Sequence, residues 1–249
     1  MNKIYKKNEV TFAIIMIVIY VVGTSIAESV TASIGIEKLI PALFHCVFSI
    51  VVLAWIIKNG YAEKYGLVVP KYKLSKSWFF IPLILVACSG LFFGIKLQYG
   101  PIETILYVVS MVCVGFLEEI IFRGFLFVGM AKKNIKSAII VSSLTFGIGH
   151  IVNLFNGQHI VETIVQIVFA VAVGFALVSI FYKGKSLLPC IIFHALNNSL
   201  SAFEKTNEEV AARFSISAGQ FEMMFVGVFV VLLAVYAWAM MKKLVVSKE

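Results

Sequence analysis

Long apolar stretches recur along the whole sequence, each close to the length of a helix that crosses a lipid bilayer. Such a helix needs about 20 consecutive apolar residues. Eight stretches approach that length: residues 10–27, 39–57, 77–95, 104–122, 137–161, 163–182, 186–203 and 223–241. Because 61% of the residues are hydrophobic and only 14% are charged, the composition differs from that of a soluble domain. The sequence therefore predicts an all-α polytopic membrane protein, a bundle of about eight transmembrane helices.

The polar intervals between these stretches are short. At 19 residues, 204–222 is as long as any of them and is too short to bury a hydrophobic core of its own. We therefore expect residues 1–249 to form a single integral membrane domain. The first stretch could alternatively be a cleaved signal peptide, because three lysines precede it and residues 25–27 resemble a cleavage site.

The distribution of Lys and Arg predicts the orientation in the membrane, because cytoplasmic loops collect these residues. If the N-terminus is inside and the eight spans alternate, 17 of the 21 Lys and Arg residues lie on the inner side. Both termini are therefore predicted to be cytoplasmic, and the net charge of +8 is explained without a nucleic-acid partner. The Ile- and Lys-rich composition further suggests a bacterial cell membrane.

Several reactive or polar residues are predicted to have structural roles only. The cysteines lie in apolar stretches without CxxC spacing, which disfavours a disulfide framework or a thiolate zinc site. His45 is predicted to be a hydrogen-bonded contact between helices. His159, beside Asn156, Gly157 and Gln158, is predicted to be exposed in a loop.

Two glutamates and an arginine interrupt the apolar segment 113–127, CVGFLEEIIFRGFLF. An ionisable residue at membrane depth costs at least ~2.5 kcal/mol, so three together suggest a functional site. In a helix, Glu119 and Arg123 share a face, whereas Glu118 is rotated from Glu119 by about 100°. Arg123 is thus predicted to pair with Glu119 and to leave Glu118 unpaired, as suits a general base that activates water. The alternative is a buried ion network that only locks helices together.

Two further spans carry polar residues at helical spacing. Phe146 and His150 are four residues apart in TFGIGHIVN, and His194 and Asn198 are four apart in FHALNNS. Residues at this spacing lie on the same face of a helix. Each pair can therefore point toward one site.

Three motifs together resemble the CPBP family, the CAAX proteases and bacteriocin-processing enzymes also called type II CAAX prenyl proteases or Abi proteins. They are EEIIFR at 118–123, FGIGH at 146–150 and HALNN at 194–198, in the family's order and on separate spans. The resemblance covers a motif-bearing core of about 104–203. It implies a membrane-embedded endopeptidase that cuts peptide bonds close to the membrane surface.

The resemblance also implies a role for each motif residue. Glu118 matches the glutamate that activates water, assisted by His150, while His194 and Asn198 match the pair proposed to stabilise the oxyanion. The supporting positions are Glu119, Arg123 and Phe146. Amide hydrolysis needs a base for water and hydrogen-bond donors for the developing oxyanion, so these residue types suit the reaction.

Metal dependence is open at this level. Family members are often labelled metalloproteases, and Glu118, His150 and His194 could hold zinc with one position free. The chain has no HExxH motif, however, and Glu with His suffices to activate water, so no cofactor is required. The absence of Asp excludes an aspartyl intramembrane protease, and the absence of GxSxG disfavours a serine elbow.

The expected partners are the lipid bilayer and a peptide or protein substrate at the membrane, reached through a cavity that opens toward the cytoplasm. Lipidated CAAX peptides, precursors of bacteriocins or signalling peptides, and membrane-protein segments all fit this expectation. Two other classes of function stay open. One is a non-enzymatic immunity or scaffold protein of the same fold, and the other is a transporter in which intramembrane Glu and His relay protons.

Overall fold

The computed structural model describes residues 1–70 and 80–243, and most of this part of the chain is helical. The α-helices are α1 (Asn2–Lys7), α2 (Glu9–Ile34), α3 (Leu39–Lys58), α4 (Ile81–Ala87), α5 (Pro101–Glu118), α6 (Val128–Ala131), α7 (Ile135–Ile148), α8 (Ile160–Gly184), α9 (Leu188–Leu200), α10 (Asn207–Ala211) and α11 (Ala218–Lys243). A π-helix, Glu119–Phe127, joins α5 to α6, and 3-10 helices follow α4, α7, α9 and α10. The all-α polytopic class predicted from the sequence is confirmed.

Six helical segments of the described chain are long and apolar enough to cross a membrane. They are Glu9–Thr31, Leu39–Lys58, Pro101–Ala131, Ile135–Leu154, Ile160–Gly184 and Ala218–Lys242. The predicted spans 77–95 and 186–203 are not among them, so the count of eight is not confirmed. In the described part of 77–95, α4 has only 7 residues before a 3-10 turn, and residues 77–79 lie outside the described chain. The 13 residues of α9 extend only ~20 Å.

Local sequence explains where several helices begin and end. Asn8 caps α2 by accepting hydrogen bonds from the N–H groups of Val10 and Thr11. Gly35 ends α2 in a left-handed conformation, φ 80°, which glycine adopts without steric cost. Asn134 caps α7 in the same way as Asn8. These caps set the lengths of the helices that surround the centre of the bundle.

The continuous segment Pro101–Ala131 is the central element of the bundle. Its π-helical part is buried at every position, and α2, α5, α7 and α9 all pack against it. A π-helix inserts extra backbone into each turn and so changes the faces on which side chains emerge, and such bulges occur often at functional sites. This change begins at Glu119, directly after Glu118.

The bundle has two ends of different composition. At the first, which we call the basic end, Glu9 forms ion pairs with Lys64 at 2.7 Å and Lys132 at 2.8 Å. We call the other end the opposite end. There the segment between α4 and α5 pairs with the segment that follows α9. There Lys96 N donates to Phe203 O at 2.9 Å and Gln98 N donates to Ala202 O at 3.0 Å. The spanning helices run between these two ends.

Candidate active site

Glu118 is the last residue of α5 and is only 9% exposed. Its Oε1 accepts a hydrogen bond from the Tyr20 hydroxyl at 2.6 Å, and its Oε2 lies 3.3 Å from His194 Nε2. The prediction that Glu118 is unpaired is therefore wrong. The reason is that α2 and α9 supply the two neighbours, and the spacing of residues within α5 carries no information about either. Tyr20 was not identified from the sequence, because a single tyrosine in an apolar span has no distinguishing pattern.

The predicted pair of Glu119 and Arg123 is confirmed. Both side chains are 0% exposed, and Arg123 Nη1 donates to Glu119 Oε1 at 2.9 Å. The guanidinium carbon lies 4.0 Å from the centre of the Phe146 ring, in a cation–π contact. Nε and Nη2 of Arg123 have no hydrogen-bond partner among the described residues, so the face of this ring offsets part of the cost of burying the charge.

His194 joins the two glutamates. Its Nδ1 lies 2.9 Å from the Oε1 atom of Glu119, and its Nε2 faces Glu118. The imidazole is 5% exposed, so the two carboxylates, the histidine and Arg123 form one buried cluster. We call these four residues with Tyr20 the carboxylate cluster. Both ring nitrogens of His194 are directed at carboxylates, which leaves neither of them free for an oxyanion in this arrangement.

His150 lies outside this cluster. Helix α7 ends at Ile148, and His150 belongs to the following 3-10 helix. Its Nδ1 is 3.1 Å from the carbonyl oxygen of Phe146, and no hydrogen bond joins it to Glu118 in the described part of the chain. The Phe146 ring lies between the two histidines, at 5.5 Å from the centre of the His150 ring and 5.6 Å from that of His194.

A cavity of about 350 Å³ lies next to these residues, toward the opposite end of the bundle. His150 and Asn198 line it, whereas Glu118 and His194 do not. Asn198 is one helical turn beyond His194, and its side-chain oxygen accepts from Asn197 Nδ2 at 3.2 Å. The four predicted catalytic residues therefore fall into two neighbouring groups, two in the carboxylate cluster and two at the cavity wall.

The four predicted catalytic residues lie within a segment that matches a known family, whereas Tyr20 lies outside it. Residues 100–200 match the family model of the type II CAAX prenyl endopeptidase Rce1-like proteins. The resemblance predicted from the motifs is thereby confirmed. No curated protein and no solved structure gives a match to the chain. The Rce1-like match supports, in general terms, a CAAX-type peptide hydrolase that works in the membrane.

The zinc site considered from the sequence does not fit the geometry. Among the described residues, no three His, Cys, Asp or Glu side chains are grouped closely enough to hold a metal ion. Glu118 and His194 face each other, but His150 is directed at the Phe146 carbonyl. The set of Glu118, His150 and His194 therefore does not form a zinc site.

The position of the cavity conflicts with the combination of two expectations, a cavity that opens to the cytoplasm and cytoplasmic termini. Its wall includes Tyr107 near the start of α5 and Ser201 and Glu204 after α9, all on the side of the opposite end. Lys64 and Lys132, which belong to loops predicted to be cytoplasmic, lie at the basic end. A cavity that opens to the cytoplasm is therefore incompatible with the predicted orientation, which places this cavity in the outer half of the bundle.

The remaining histidines occupy the structural positions that were predicted. His45 Nε2 is 2.9 Å from the Thr24 hydroxyl, and its Nδ1 is 2.8 Å from the Ser110 hydroxyl, so it joins α3 to α2 and α5. His159 is exposed and caps α8. All four cysteines are free, as expected, although Cys46 Sγ and Cys113 Sγ lie 3.6 Å apart.

Proposed function

We propose that the protein is an intramembrane endopeptidase that hydrolyses peptide bonds of membrane-associated or lipidated peptides and proteins. Both termini are cytoplasmic in this proposal, as the distribution of Lys and Arg predicts. The observation that carries the proposal is the buried contact between Glu118 and His194, inside the segment that matches the Rce1-like family. A buried carboxylate held by a histidine is a group that can accept a proton from water.

Glu118 is the general base in this mechanism. Tyr20 donates to its Oε1, and Oε2 has no hydrogen bond within the described chain, so Oε2 is the atom that would take the proton from water. The resulting hydroxide attacks the carbonyl carbon of the substrate, and the same proton then passes to the leaving amine. His194 keeps the carboxylate of Glu118 oriented, while its other nitrogen is anchored on Glu119.

The oxyanion that forms during attack needs hydrogen-bond donors. The Asn198 amide lines the cavity and supplies a suitable N–H group, which is worth ~3 to 4 kcal/mol when aligned. His150 also lines the cavity, but its Nδ1–H is directed at the Phe146 carbonyl, so the Nε2 of the neutral ring is an acceptor that can hold a water or a substrate N–H. The family resemblance implies that His194 helps to stabilise the oxyanion. Both ring nitrogens of His194 face carboxylates, so we assign His194 to holding Glu118 in place. We assign His150 to the wall of the cavity.

The test is Glu118→Gln, assayed on purified protein in detergent with a peptide library read by mass spectrometry. Gln has the same shape and can still accept from Tyr20, but it cannot take a proton from water, so cleavage should be lost while the protein stays folded. Glu162→Gln, at the exposed start of α8, is the matched control and should cleave as the wild type does. Wild-type cleavage by Glu118→Gln would contradict the proposal. Proton-coupled flux without any cleavage would instead indicate a transporter.

A further inference from the structure

Glu204 contributes a carboxylate to the wall of the cavity at its opposite-end side. Its backbone is held in place, because it forms an antiparallel bridge with Ile95 and its carbonyl oxygen accepts from Gln98 Nε2. The carboxylate lies against Gly90, where a Cβ atom would overlap with it. The position of this charge is therefore built into the fold.

No cation in the described chain neutralises this carboxylate. It makes no ion pair and accepts no hydrogen bond there, and Lys and Arg are absent from the cavity wall. The nearby basic side chains point elsewhere: Lys96 pairs with Glu209 at 2.6 Å, and Arg213 donates to Phe93 O at 2.8 Å. The side chain of Lys205, the next residue in the chain, lies against Gly94. Burial raises the pKa of Glu204 above its ordinary value of 4.5, because nothing compensates its ionised form.

The rest of the wall is mixed in character. Apolar contact is offered by Val86, Met111, Phe169, Phe225, Val226 and Phe229. Neutral hydrogen-bonding groups come from Ser89, Tyr107, Gln166, Asn197, Asn198 and Ser201. A volume of about 350 Å³ is at the lower end of the range for ligand sites, enough for a short length of peptide.

We infer that this cavity binds the Lys or Arg side chain of an otherwise apolar peptide, with its cationic group on Glu204. A cation at this position supplies the partner that the half-buried carboxylate lacks, whereas a carboxylate there would meet a like charge. The stem of a Lys or Arg side chain and its apolar neighbours would lie against the phenylalanines. The inference rests on the proposed function, because it takes a peptide as the molecule bound in the cavity. It specifies the substrate class as apolar peptides that carry a Lys or Arg residue.

The test compares two apolar peptides that differ only at one residue, Lys in the first and Nε-acetyl-lysine in the second. Binding is measured in uncharged detergent to the Glu118→Gln protein, which should not cleave them. We expect the Lys peptide to bind at least about tenfold more tightly, as expected for a hydrogen bond between charged groups. The protein's net charge of +8 disfavours cationic peptides in general, so such a preference must be local.

In the Glu118→Gln protein, the additional substitution Glu204→Gln should abolish the preference for the Lys peptide. Glu208→Gln, which removes the same charge from an exposed position four residues along, should retain it. Gly90→Ala should also reduce the preference, because the new methyl group displaces the end of the Glu204 side chain and leaves the backbone in place. Equal binding of the two peptides, or a preference that survives Glu204→Gln, would overturn the inference.

Cleavage by the wild type is scored separately, so the two ideas can fail independently. If the binding preference is present but no peptide is cleaved, the proposed function is wrong and the cation site stands. If peptides are cleaved but bind equally well with Lys and acetyl-lysine, the function stands and the cation site is wrong.

Discussion

Glu118 and Glu119 are adjacent in sequence but differ in their neighbours. Glu119 is paired with the guanidinium of Arg123, while Glu118 is held by a tyrosine hydroxyl and a histidine. In the proposed mechanism, Glu119 therefore anchors His194 and Glu118 carries out the reaction. His194 contacts both carboxylates, Glu118 through Nε2 and Glu119 through Nδ1.

Tyr20→Phe should lower kcat with little effect on KM. The change removes only the hydroxyl that donates to Glu118 Oε1, so the carboxylate loses its orientation while the ring still packs. The loss of one hydrogen bond to a charged group corresponds to about a tenfold or larger decrease. Tyr65→Phe is the control, because it removes a buried hydroxyl bonded to Tyr5, at the basic end. Equal kcat values for the wild type and Tyr20→Phe would show that Tyr20 does not position Glu118.

Arg123→Ala should destabilise the protein. Glu119 would lose its permanently charged partner in a fully buried site and keep only its contact with His194, at a cost of ~3 to 5 kcal/mol. Thermal unfolding in detergent and the yield of monodisperse protein measure this effect. Lys96→Ala removes an ion pair with Glu209 at the surface and should change stability by less than ~1 kcal/mol. A melting temperature for Arg123→Ala close to that of Lys96→Ala would contradict the importance of this pair.

At the scale of elements, the site depends on the close approach of α5 and α9. Gly115 lies one turn before Glu118 on α5, and it faces the backbone of Ala195, the residue after His194. A Cβ atom at Gly115 would lie 2.7 Å from Ala195 N and 2.9 Å from Ala195 Cα. Because backbone atoms cannot move aside as the end of a flexible side chain can, only glycine allows this spacing.

Gly115→Ala should therefore separate the two helices by a few tenths of an ångström and weaken the contact between Glu118 and His194. We expect a loss of stability of ~1 to 3 kcal/mol, together with reduced cleavage. Gly227→Ala, in α11, has open space at the same position and should be neutral or slightly stabilising. Unchanged activity and melting temperature in Gly115→Ala would mean that α9 does not pack this closely against α5.

At the scale of the whole molecule, the orientation in the membrane decides from which side the cavity is reached. The 17 Lys and Arg residues assigned to the inner side predict that the basic end is cytoplasmic. A reporter inserted between Lys132 and Lys136 should then be cytoplasmic, and one between Glu204 and Arg213 should be external. An external signal from the first site would reverse the orientation and bring the cavity to the cytoplasmic side.

Composition and local spacing were sufficient for part of this description. The membrane class follows from hydropathy, and six of the predicted spans correspond to helices long enough to cross. The pair of Glu119 and Arg123 follows from its separation of four residues, and the two structural histidines follow from their surroundings. The membrane class and the ion pair depend on residues close together in the chain, and helix geometry relates such residues directly. The role of His45 was predicted from its place in an apolar span, although its partners lie 21 and 65 positions away.

Packing between helices decided the rest. Tyr20 reaches Glu118 across 98 positions of sequence, and His194 reaches Glu119 across 75. The spanning helices are apolar over most of their surface, so no periodicity in the sequence shows which face meets which neighbour. For the same reason, the sequence did not predict the separation of the carboxylate cluster from the cavity, the short length of α9 or the half-buried position of Glu204. Whether a buried charge has a partner depends on which helices pack together. Only the tertiary structure determines that packing.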